Sequence, residues 1–84
     1  MRLQITLADV EAMKADLRAA LPNVKSSHRT EALARGLGWR TNAAMRSELA
    51  SGSVSVAADE RAFCDYLSGN SFETAAGILT RAFA

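Results

Sequence analysis

The side chains that could carry out covalent or metal chemistry are few in this sequence. Ser26, Ser27 and His28 stand together, and Cys64 is the single cysteine. A catalytic nucleophile needs a base and a third group that orients the base, and no third group follows at a recognisable spacing. One histidine and one cysteine do not make a zinc site, and the "GLG" run is too short for a dinucleotide-binding fingerprint. The sequence therefore predicts a protein that is not an enzyme, with no catalytic residue, cofactor or metal ion.

Charged residues are distributed unevenly along the chain. The net charge is only +1, yet the segment from residue 25 to residue 46 contains five cations against a single acid, Glu31. The rest of the chain contains five cations against eight acids. Segregation of this kind orients a protein toward an anionic partner on one side. The alternative is that these cations are ordinary solvated surface residues.

The composition is typical of a folded helical protein. A chain of 84 residues forms one domain, which we assign to residues 1–84. Alanine, the best helix former, supplies 17 residues, and there is one proline. With one cysteine and no apolar run of about 18 residues, we expect a cytoplasmic protein without a membrane partner. A core of this size is marginal, so a homodimer is an option that would add buried surface.

Apolar spacing and helix caps predict five helices and two short strands. Alternating residues in "RLQIT" and "SVSVA" predict two strands that pair with each other. The predicted fold class is mainly α, a compact bundle of four to five short helices with a minor two-stranded ribbon. The helices are expected to begin at Thr6, at Ser26 or Ser27, at Thr41, near Ala58, and at Asn70 with Glu73 as its capping partner, and to end near Leu21, Gly36 or Gly38, Ala50, Gly69 and Phe83.

The stretch "LARGLGWRTNAAMRSELA", residues 33–50, has the pattern of a helix-turn-helix. Ala34 is small where a second helix would cross, and Gly38, four residues later, can take the left-handed conformation of the turn. Helix pairs of this kind also occur in domains that never meet nucleic acid. The other positions of the pattern are filled by Leu33 and Leu37 as the buried face, Trp39 as an apolar plug, and Thr41 as the cap of the second helix.

The second helix of this pair is the less typical half. Ala44 occupies a position that usually carries a larger or β-branched apolar residue. The exposed face would offer Arg40, Asn42 and Arg46 to a groove of DNA, where arginine can read guanine and asparagine can read adenine. With so few cations, one domain would bind weakly unless it dimerised.

The run "VKSSHRTEALARGLGWRT", residues 24–41, resembles a motif of small uncharacterised bacterial proteins, many of them from proteobacterial genomes and mobile elements. A looser version, a serine-led helix that ends in leucine, glycine and an aromatic residue, is similar to a small domain of glyoxalase-related proteins. The closer resemblance covers about a fifth of the chain and implies no established activity. It implies that one local unit is formed by Ser27, His28, Glu31, Gly38 and Trp39.

Two functions from different classes remain open. The first is a helix-turn-helix-like regulator that binds nucleic acid. The second is a protein-binding module, such as an inhibitor or accessory factor of phage or plasmid type that occupies a surface of a larger partner. That partner could itself bind nucleic acid. An acidic face of this protein could then compete for the partner's nucleic-acid site, because carboxylates can occupy the same arginine and lysine clusters as phosphates. For both functions, the predicted contact residues are Lys25, Arg29, Arg35, Trp39, Arg40, Asn42 and Arg46.

Overall fold

The computed structural model of the chain describes residues 2–70, 72 and 77–83. Helices dominate this part of the chain and a small sheet accompanies them, so the predicted mainly α class with a minor β ribbon is confirmed. No helix among the described residues is long and apolar enough to cross a membrane. The elements in chain order are β1 (Arg2–Ile5), α1 (Leu7–Ala20), α2 (Ser26–Gly36), α3 (Asn42–Leu49), β2 (Val54–Ala57), α4 (Glu60–Gly69) and α5 (Ile78–Phe83).

The sheet joins two strands that are far apart in the chain. β1 and β2 pair with each other, as predicted, and the pairing is antiparallel, with Leu3 opposite Val56 and Ile5 opposite Val54. Ile5 and Val56 are buried, whereas Leu3 is 39% exposed. A two-stranded ribbon is marginal by itself, and here its inner residues belong to the same apolar core as the helices.

The core is arranged around α2. This helix contacts α1, α3 and α4, and its contact with α4 is the most extensive. Gly36 shows how close that approach is, because a Cβ atom on it would lie 2.5 Å from Leu79 Cδ2 and 3.2 Å from Phe63 Cβ. The missing side chain at the end of α2 therefore makes room for α4 and α5.

Three of the predicted helix starts are capped by side chains. Thr6 and Asp9 form a reciprocal capping box at α1, in which the Thr6 N–H donates to Asp9 Oδ2 at 2.9 Å and the Asp9 N–H donates to Thr6 Oγ1 at 3.3 Å. Thr41 Oγ1 accepts from the Ala44 N–H at α3, as predicted. At α4 the cap is Asp59, whose Oδ1 accepts from the Ala62 N–H.

The predicted cap of α2 was wrong. Ser26 is already the first helical residue, and Lys25 stands at the cap position without a side-chain hydrogen bond. The preceding turn explains the shift: Arg29 Nη1 donates to the carbonyls of Leu21 and Val24, and the Arg29 N–H bonds to the Lys25 carbonyl. These bonds hold the preceding turn, and the helix begins at Ser26. The cap position therefore falls on Lys25 and not on a serine.

The predicted start of the last helix was also wrong. Asn70 ends α4 and its Nδ2 donates to the Tyr66 carbonyl, while Phe72 is not helical. Gly77 has a φ of 90°, a left-handed conformation that a continuous right-handed helix excludes, so α5 begins only at Ile78. The proposed capping partner Glu73 lies outside the described residues, as does Ala76.

Candidate functional site

The turn between α2 and α3 is built around Gly38. This glycine has a φ of 102°, as predicted for the turn. Its N–H donates to the Arg35 carbonyl at 3.2 Å, and the Trp39 N–H donates to the Ala34 carbonyl at 2.9 Å. These two bonds form a Schellman motif, which satisfies carbonyls at the end of α2 and fixes the direction in which the chain leaves it.

The N-terminus of α3 is held by two side chains. Thr41 Oγ1 accepts from the Ala44 N–H, and Glu31 Oε2 accepts from the Asn42 N–H, both at 3.0 Å. Because Glu31 belongs to α2, its carboxylate ties the two helices together and also places negative charge at the positive end of α3. The helix pair is therefore fixed by side chains as well as by the turn.

Most of α3 faces solvent. Only Met45 and Leu49 are buried, and Arg46 is exposed, as is Arg40 before the helix. Asn42 departs from the predicted exposed face, because it is half-buried and its Oδ1 atom is buried without a hydrogen-bond partner among the described residues. Its place in the first turn of α3, where its own N–H bonds to Glu31 of α2, explains that burial.

Arg46 reaches back from α3 to α1. Its Nη1 lies 3.3 Å from Glu11 Oε1, and Lys14 Nζ lies 3.6 Å from the same oxygen. The hydrogen bond from Arg46 and the charge of Lys14 lower the pKa of the Glu11 carboxyl below its ordinary value. One carboxylate is thus shared by two cations, and the charge of this corner stays positive.

A groove of about 490 Å³ opens between α1 and α2, which we call the α1–α2 groove. Lys14 and Arg18 line it from α1, and Arg29 lines it from α2. Lys14 and Arg18 were not among the predicted contact residues, because along the chain they belong to the acidic remainder. Their spacing of four residues on one helix was the signal that could have grouped them. The other lining residues are Glu11, Ala15, Ser26 and Thr30.

Arg35 and Arg40 lie together at the opposite end of α2. Arg35 Nε donates to the Arg40 carbonyl at 2.8 Å, and its guanidinium carbon lies 5.5 Å from the centroid of the Tyr66 ring. That distance permits a cation–π contact, which ties Arg35 to α4. Lys25, by contrast, is exposed at the start of α2. Lys25 therefore lies at one end of α2, and Arg35 and Arg40 lie at the other.

Trp39 is half-buried and packs against the core, in agreement with the predicted plug. It also lines a shallow cavity of about 360 Å³ beside β2, together with Leu37, Gly38 and Glu48. Tryptophan in such a position combines a large apolar area with an N–H donor, a property that suits a contact residue as well as a core residue.

The described residues place cations at one open groove and on the exposed helix beside it. Lys14 and Arg18 of α1 and Arg29 of α2 line the groove, and Arg46 of the mostly exposed α3 contacts Glu11, which lines it as well. No protein-family model, curated protein or solved structure matches the chain. The resemblance of residues 24–41 to small bacterial proteins therefore stays a prediction.

Proposed function

We propose that this protein is a non-enzymatic nucleic-acid-binding module that contacts the phosphate backbone through α3, with its Arg46, and through Arg35 and Arg40, which precede α3 in the chain. The observation that carries the proposal is the exposed surface of α3 between Arg40 and Arg46. The exposed residues within this span include Ala43 and Ala44. Small side chains would let the helix backbone approach a nucleic-acid groove closely, while the two arginines reach the phosphates on either side.

The positions of the polar groups favour backbone contacts over base reading. Asn42, the residue suited to adenine, has its Oδ1 buried, and Arg46 is drawn toward Glu11. A phosphate can replace the Glu11 carboxylate as the partner of Arg46 because both are oxyanions. We therefore expect binding with little sequence preference, driven by the release of counterions.

The test is the salt dependence of binding to a fluorescently labelled DNA duplex, measured by anisotropy. Phosphate contacts of Arg35, Arg40 and Arg46 predict a slope of log affinity against log salt of about −3. The double variant Arg40→Ala, Arg46→Ala should weaken binding and make the slope shallower by about 2. Circular dichroism of the variant establishes that the helices are intact.

The control is Arg61→Ala, which removes one positive charge from α4 and is compared with the single variants Arg40→Ala and Arg46→Ala as well as with the double variant, which removes two. Arg61 is 91% exposed on α4, and its Nε lies 3.8 Å from Asp65 Oδ2. We expect this variant to bind almost as well as the wild type. If the double variant and the control bind alike, or if affinity does not depend on salt, the nucleic-acid proposal is wrong.

A second candidate function, a protein-binding module, is supported by Trp39. A half-buried tryptophan beside a cavity is a typical anchor residue of protein interfaces. In this case, purification from the native host should yield one stoichiometric protein partner that resists nuclease treatment. Trp39→Ala should then release the partner while Arg61→Ala retains it. Recovery of nucleic acid alone would exclude this candidate.

A further inference from the structure

The α1–α2 groove concentrates positive charge that neither the sequence pattern nor the exposed face of α3 explains. Lys14, Arg18 and Arg29 surround it, against the single carboxylate of Glu11. That carboxylate is already shared with Lys14 and Arg46, so it neutralises only part of the charge. Arg18 has no ion-pair partner among the described residues. A groove of this kind attracts a compact anion of high charge.

The side chains that line the groove supply donors of the kinds that bind an oxyanion. Arg29 uses Nη1 for two carbonyls, which fixes its guanidinium in place, and its remaining N–H groups can donate to a ligand. Ser26 contributes a hydroxyl from the start of α2. The N–H groups of the first turn add a weaker attraction, since no side chain at Lys25 accepts from them.

We propose that the α1–α2 groove binds a phosphate group, held by Lys14, Arg18 and Arg29. A phosphate in a nucleic-acid backbone and a phosphate on a small compound present the same oxygens, so the chemistry of the site is the same for both. The inference goes beyond the proposed function and does not rest on it. Arg40 and the exposed surface of α3 are not part of this site.

The experiment is an NMR titration of the ¹⁵N-labelled protein with inorganic phosphate, with chloride adjusted to keep the ionic strength constant. We expect saturating shifts of the Ser26, Ser27 and His28 amides in the millimolar range. The amides of Asn42 and Ala44 serve as an internal reference and should not move, because side chains already accept from them. Shifts that do not saturate, or that chloride reproduces, would overturn the proposal.

Charge-removing variants test which side chains hold the phosphate. Arg18→Gln should weaken phosphate binding by up to about fivefold, the range that partly exposed charge pairs give, and Lys14→Gln should act similarly. Arg61→Gln is the matched control, since it removes an exposed arginine from α4. Equal affinities of Arg18→Gln and Arg61→Gln would show that the protein attracts phosphate only through its general charge, which would refute a site in the groove.

A DNA duplex of about 20 base pairs, long enough for two turns of groove, separates the sources of the phosphate. If Arg18→Gln weakens binding of both phosphate and duplex, the groove holds a backbone phosphate. If it weakens phosphate binding alone, the groove holds a small phosphate compound. Saturable phosphate binding without duplex binding would leave the groove site standing and refute the proposed function. Duplex binding without saturable phosphate binding would refute the groove site and leave the proposed function standing.

Discussion

Helices α2 and α3 are consecutive and are joined by only five residues, yet their surroundings are opposite. α2 contacts α1, α3 and α4 and lies in the middle of the core, whereas the buried residues of α3 are Met45 and Leu49. Burial therefore decides how each helix can be used. α2 sets the positions of its neighbours, and α3 can offer its surface to a partner without weakening the core. The buried residues of α2 are Thr30, Ala32, Leu33, Ala34 and Gly36.

The N-termini of the two helices show the opposite contrast, because the exposed helix α3 is capped by side chains and the buried helix α2 is not. Every α-helix begins with N–H groups that lack an intrahelical acceptor. At α3, Thr41 and Glu31 supply acceptors, so this end of the exposed helix is closed. At α2, Lys25 supplies none, and the end of the buried helix opens beside the cations of the α1–α2 groove. The more buried helix thus has the more available N-terminus.

The largest effect should come from filling the space at the end of α2. Gly36→Val would place carbon atoms against Phe63 and Leu79 and should lower the free energy of unfolding by about 2 to 3 kcal/mol. Gly69→Val is the matched control, because no heavy atom lies within 4 Å of a Cβ atom there. Urea denaturation measures both. If Gly36→Val loses no more stability than the control, α2 is packed less tightly than we infer.

A smaller effect should distinguish the two N-termini. Thr41→Ala removes the cap of α3 and should lower the free energy of unfolding by about 1 kcal/mol. Ser27→Ala in the first turn of α2 should be neutral or slightly stabilising, since Ser27 caps nothing and alanine favours helix. Thr41→Ser retains the hydroxyl and should behave like the wild type. Comparable losses of stability for Thr41→Ala and Ser27→Ala would show that the N-termini of α2 and α3 do not differ in capping.

Local patterns predicted the parts of the fold that depend on a few neighbouring residues. The caps at Thr6 and Thr41 and the left-handed turn at Gly38 each follow from interactions within about five residues. The cap of α2 could not be predicted in this way, because it depends on where Arg29 places its guanidinium against the preceding turn. The predicted start of the last helix was wrong for a similar reason, because the Asn70 side chain donates to the Tyr66 carbonyl of the preceding helix.

The candidate site was harder to predict because it combines distant segments. The basic block from residue 25 to residue 46 was visible in the sequence, and it includes Arg29, which lines the groove, and Arg46, which contacts Glu11. Lys14 and Arg18 join them only because α1 packs beside α2, which charge counting along the chain does not reveal. Asn42 shows the opposite error: its helical position suggested exposure, and contact with α2 buries it partly.

Supplying the missing cap should make the N-terminus of α2 resemble that of α3. Lys25→Ser places a hydroxyl where it can accept from the first-turn N–H groups, and it should stabilise the protein by about 0.5 to 1 kcal/mol. Lys25→Gln removes the same charge without forming that cap, so it separates the two causes. We expect Lys25→Ser to weaken phosphate binding more than Lys25→Gln does in the NMR titration. Equal affinities would show that the first-turn N–H groups do not contact the anion.

The smallest effect concerns Glu11, the carboxylate that links the groove to α3. Its pKa is lowered in the folded protein, mainly by the Arg46 hydrogen bond and then by Lys14, so its ionised form stabilises the fold. This contribution is complete above the ordinary pKa of the carboxyl and is lost as the pH falls through the lowered folded value. Glu11→Gln should therefore be slightly less stable than the wild type at about pH 7, and the difference should shrink as the pH falls through the lowered folded pKa of Glu11, as urea denaturation can measure. Because the side chain is 57% exposed, high salt should reduce the difference as well.

The same Glu11→Gln variant should change phosphate binding in the opposite direction to stability. Removing the carboxylate frees Lys14 and Arg46 and deletes the one negative charge that lines the groove, so phosphate should bind more tightly. Glu48→Gln is a suitable control, because Glu48 is exposed on α3 and lines the cavity beside β2 instead. A gain in affinity for Glu11→Gln alone would show that Glu11 competes with phosphate for the cations it shares. If both variants gain the same affinity for phosphate, net charge governs anion binding, and the groove would not differ from the surface of α3 in this respect.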